Sequence, residues 1–74
     1  MSEEQAKSVA DAAEVIVNGY AFLKHSLGVR VVNLDTGNVA VFSNADEMLE
    51  SSMPEIEQVI ALKYLRANRK YMAA

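Results

Sequence analysis

The sequence predicts a small α+β domain in the order helix, β-hairpin, short helix, long helix (αββαα), with residues 1–74 forming one unit. Three observations carry that expectation. Apolar residues recur at steps of three or four from Val9 to Leu27, two β-branched runs flank Asp35-Thr36-Gly37-Asn38, and a second helical spacing occupies residues 54–72.

The first helix opens at Ser2, whose hydroxyl can accept from the free N–H groups of the first turn, with Gln5 in the partner position of a capping box. Val9, Ala12, Ala13, Ile16, Tyr20, Leu23 and Leu27 then share one stripe, so the spacing predicts a helix to about Ser26, stopped by Gly28. Gly19 falls inside it, where glycine is about 1 kcal/mol worse than alanine. Its expected use there is a close backbone approach. His25, in the last turn, is expected to bond the unpaired carbonyls of the helix end.

Residues 29–34 and 39–42 are β-branched runs joined by a turn in which Gly37 suits the left-handed region and Asp35 can accept from the turn amides. Both strands are apolar on nearly both faces. One face is expected on the helices and the other against a further surface. Asn44, with Glu47 three residues on, reads as the cap of a short helix that carries Met48 and Leu49 and ends near Ser51. Ser51 or Ser52 can cap the last helix, which runs from Pro54 to about Met72 with Glu55 and Glu57 at its positive end.

Composition sets the class. With 51% hydrophobic and 23% charged residues the chain should fold, yet a domain of this size buries only about 60% of its unfolded surface. There is no cysteine and one histidine, so neither a disulfide nor a structural zinc site can supply support. Association between chains can. No basic region leads into a long apolar run, so a cytoplasmic protein without a membrane span is expected. The net charge of −3 argues against general charge-driven nucleic-acid binding.

The total conceals an asymmetry. Residues 45–57 carry five acids and no base, whereas residues 58–74 carry four bases and no acid. Lys63, Arg66 and Lys70 share one stripe of the last helix with Arg69 beside it. This polarity complements the helix dipole and also offers a basic end to a partner. Ile56, Ile60, Ala61, Tyr64, Leu65, Ala67, Tyr71 and Met72 span an arc of roughly 180°, with Leu62 outside it, wider than one core contact needs. The expected partner surface is therefore Lys63, Tyr64, Leu65, Arg66, Arg69 and Lys70 together with the outer hairpin face. The partner would be a protein or a second copy in a homodimer. A small nucleic-acid-binding regulator using the basic stripe is the alternative.

Chemistry is not signalled. His25 has no hydroxyl nearby except the adjacent Ser26, a poor basis for a triad. Asp46, Glu47 and Glu50 match no calcium loop and read as a solvated helix face, and the glycines at 19, 28 and 37 form no phosphate loop. The Asp35-Thr36-Gly37 run shares its sequence with the catalytic triplet of aspartic proteases, but the turn accounts for it. The sequence therefore points to a non-enzymatic protein, and no catalytic residue, metal, cofactor or small-molecule ligand is expected.

Overall fold

A computed structural model describes residues 2–72; residues 1, 73 and 74 of the predicted domain lie outside the described residues. The architecture is α+β, with two helices and a five-stranded antiparallel sheet. In chain order the elements are α1 (Glu3–Ala12), β1 (Val15–Val17), β2 (Tyr20–His25), β3 (Gly28–Asn33), β4 (Val39–Ser43), β5 (Met48–Ser51) and α2 (Glu55–Asn68), the last continuing into a 3-10 turn over Arg69–Tyr71. The strands form a meander in spatial order β1-β2-β3-β4-β5.

The predicted capping box is present, with Ser2 Oγ accepting from Gln5 N and Gln5 Oε1 from Ser2 N. The helix nevertheless ends at Ala12, because Ala13 turns extended (φ −72°, ψ 142°). What was expected as helix to Ser26 is instead a hairpin. Val15-Ile16-Val17 pairs with Tyr20-Ala21-Phe22 across Asn18-Gly19, whose φ angles of 47° and 83° are those of a type I′ turn. That backbone follows the twist of paired strands and suits Asn-Gly, so Gly19 is a turn residue and not a helix contact. Gly28 likewise does not stop a helix. It begins β3 opposite Ser43 with φ 151°, and a Cβ there would overlap the Phe42 carbonyl oxygen. His25 does not cap a helix: its Nδ1 accepts from Leu27 N at 3.1 Å and supports the β2–β3 turn.

The central hairpin stands where the sequence placed it, with Val32 opposite Val39 and Gly37 at φ 80°. The side chain gathering the turn amides is Asn33, not Asp35: its Oδ1 accepts from Asp35 N at 2.9 Å. The predicted short helix is absent from this region. Ser43 Oγ accepts from both Ala45 N and Glu47 N, Asp46 takes φ 64°, and the chain turns back so that Met48 and Leu49 lie in the edge strand β5. Asp46, Glu47 and Glu50 therefore share no helix face. Ser51 and Ser52 do not cap α2, since Ser51 Oγ accepts from Met53 N and Ser52 Oγ from Val39 N. Pro54 stands at the cap position without a side-chain bond.

Alternation along the strands builds a core on each side of the sheet. Tyr20, Phe22, Val29, Val31, Ala40 and Phe42 face α2 and close around Met53, Ala61 and Leu65. Ala21, Leu23 and Val32 face the other way, where Val9 and Ala13 from the N-terminal segment pack on them. The further surface required by the two-sided hairpin is thus α1 of the same chain. A partner is not needed to cover that face.

Candidate interaction surface

The six residues of the predicted surface divide when α2 docks. Leu65 is fully buried among the sheet side chains, and Tyr64 is half-buried with its ring edge against Tyr20 at 5.7 Å. Its hydroxyl accepts from Asn18 Nδ2 at 3.0 Å, tying the β1–β2 turn to the helix. Leu65 is a core residue and leaves the surface. Arg69 also turns inward: its Nε donates to Asp46 Oδ1 at 2.8 Å and its Nη2 to the Ser43 carbonyl at 3.0 Å. It holds the β4–β5 turn against the end of α2. Lys63, Arg66 and Lys70 remain outside, Arg66 with Nε 3.6 Å from Asp46 Oδ2 and Lys70 with Nζ 5.1 Å from the Tyr71 ring centroid.

The buried side of α2 is centred on Ala61 and Leu65, which brings Leu62 against the core and turns Ile56 out. The projection had placed both the other way. Ile56 is 69% exposed and Val59 62%, although both are aliphatic residues on a packed helix. Met48 of β5, 44% exposed, lies beside Val59, and Leu49, equally exposed, follows it on the edge strand. A shallow groove floored by Phe42 and rimmed by Met48, Val59 and Leu62 runs between β5 and α2, with Asp46 and Glu55 on its edge. A second apolar hollow continues along Val59, Leu62 and Ala67 to Lys63 and Arg66. Sequence reasoning missed Val59 because a helix with apolar residues around most of its girth does not declare which flank the sheet takes.

The arrangement can bury apolar surface with charges at its rim. Its N-terminal end carries Glu55 and its C-terminal end Lys63 and Arg66. Elsewhere, Glu57 on the sheet side of α2 accepts from Asn33, Thr36 and Asn38, pinning the β3–β4 turn. A more enclosed cavity is lined by Lys24, Arg69 and Lys70, but Lys24 is paired with Glu14 at 3.5 Å and Arg69 with Asp46. Among the described residues, no three His, Cys, Asp or Glu side chains are grouped to hold a metal ion, and no helix is long and apolar enough to cross a membrane.

No curated protein and no solved structure matches the chain. One family model, described as a family of unknown function (DUF7723), matches residues 3–72. That span takes in every helix and strand described above, and the chain belongs to this family.

Proposed function

We propose that the protein is a small non-enzymatic interaction module, cytoplasmic in setting, that binds another protein chain through the outward face of α2 and the neighbouring β5. The observation that carries this reading is the pair Ile56 and Val59, both more than three-fifths exposed on one stripe with Lys63 and Arg66. Apolar side chains ringed by charge are the composition of a protein interface, where the centre is desolvated and the rim stays wet. The basic-stripe alternative loses support from the ion pairing. Arg69 is committed to Asp46 and Arg66 lies at the same carboxylate, which leaves Lys63 and Lys70 for phosphate contacts.

A photo-crosslinking residue in place of Val59, compared with one in place of Ser8 on α1, tests the reading inside cells. Protein adducts at position 59 and none at position 8 are expected. Adducts to nucleic acid alone, or no adduct at position 59, would overturn it.

A further inference from the structure

Resting on that reading, we propose that the partner is a second copy of this chain, docked about a two-fold axis at Val59 with the two α2 helices antiparallel. The argument is one of charge order along the exposed stripe. Glu55 lies four residues before Val59 and Lys63 four residues after it, about 6 Å to either side along the helix axis. An antiparallel pair centred on Val59 sets each Glu55 opposite the partner copy's Lys63 and each Ile56 opposite the partner copy's Leu62. A parallel pair would set like against like. A two-fold interface must be complementary to itself, and this stripe meets that condition in the antiparallel sense only.

The other candidate surfaces carry less. β5 is an edge strand, but its register breaks between Val41 and Phe42 and it bears Glu50, two features that blunt strand addition. β1 has three residues, and α1 turns Glu3, Glu4, Lys7 and Asp11 to solvent. Ile16, Leu27, Met48, Leu49 and Tyr71 are exposed elsewhere, but among the described residues the two most exposed aliphatic side chains, Ile56 and Val59, share one stripe of α2.

Exchanging the two charges separates this arrangement from a merely structural effect. Within one chain, residues 55 and 63 are two helical turns apart and do not touch, so any coupling between them is between chains. The wild-type protein should show twice its 8.1 kDa mass by sedimentation equilibrium at micromolar concentration. Glu55→Lys and Lys63→Glu should each raise the dimer dissociation constant on the order of tenfold, since each change places two like-charged pairs in the interface. Mixing the two variants should restore a heterodimer of near wild-type affinity, because every facing pair is again of opposite sign. Circular dichroism melts confirm that each variant is folded. A mass of 8.1 kDa at every concentration, or a dimer indifferent to both exchanges and to mixing, overturns the proposal. A monomer that still gives Val59 adducts to a different protein would remove the two-fold dimer and leave the interaction reading standing.

Discussion

Tyr20 lies in the core facing α2, with its ring edge-on to Tyr64. Burial pushes its hydroxyl above the ordinary value of 10.0, and the nearby Glu57 carboxylate and Tyr64 push the same way, while a hydrogen bond with Asn33 pulls it down. The sign of the consequence follows from proton counting. Below pH 10 both folded and unfolded chains keep the phenol proton; above it the unfolded chain loses that proton first, so rising pH favours unfolding. The melting temperature should therefore fall as pH climbs through this range, and Tyr20→Phe should fall less steeply. Parallel profiles of melting temperature for the two proteins over roughly one pH unit either side of the phenol value would show that Tyr20 is not the group responsible. The residue itself was legible as apolar, but its contacts were not. Helical spacing puts it on a stripe with Ile16, whereas the ring it meets, Tyr64, belongs to a helix at the other end of the chain.

At the scale of elements, the β4–β5 turn depends on side chains that only the fold assembles. Asp46 occupies the left-handed region at φ 64°, and Arg69 reaches back to hold it and the Ser43 carbonyl. Asp46→Asn keeps a residue that tolerates this backbone and loses the charge, so it should destabilise by about 1 kcal/mol. Asp46→Ala loses both the tolerance and the bonds and should destabilise by about 2 to 3 kcal/mol. Urea melts of the two variants measure the gap, and equal midpoints would mean that the strain at Asp46 contributes nothing. This turn also shows why the sequence misleads here. Asn44-Ala45-Asp46-Glu47 has the residue pattern of a capped helix start, and four strand residues after it are too few to reveal a period of two. The opposite failure occurs at residues 15–25. Val15-Ile16-Val17 and Tyr20-Ala21-Phe22 around Asn18-Gly19 carry a strong hairpin signal, but β2 is buried on both faces, so alternation is missing and apolar spacing falls into helical steps by coincidence. The β3–β4 hairpin and α2 were legible because a glycine turn between β-branched runs, and a long periodic run after a proline, have few competing readings.

For the whole molecule, the Cα radius of gyration of 11.0 Å is close to the roughly 11 Å expected of a folded chain of this length. The exposure of Ile56 and Val59 is therefore not a symptom of loose packing. Within that compact body the two faces of the sheet are held unequally. α2 buries Ala61 and Leu65, adds half-buried Ile60, Leu62 and Tyr64, and is tied down by Glu57 and Arg69. α1 buries no residue and rests on the sheet through the apolar contact of Val9, with Ala13 just beyond its end. None of the described hydrogen bonds or ion pairs joins it to the strands. A helix of ten residues is marginal in water without tertiary support, so its stability depends on this small apolar contact. Hydrogen exchange followed residue by residue should show α1 amides opening at least about a hundredfold more readily than those of Phe22 and Val31, which lie in the central strands. Val9→Asp should remove the remaining protection of α1, and β2 and β3 should still open only with the whole domain. α1 amides as slow as Val31 would show that the helix is part of the cooperative core, and that the second face of the sheet is held far more firmly than its burial implies.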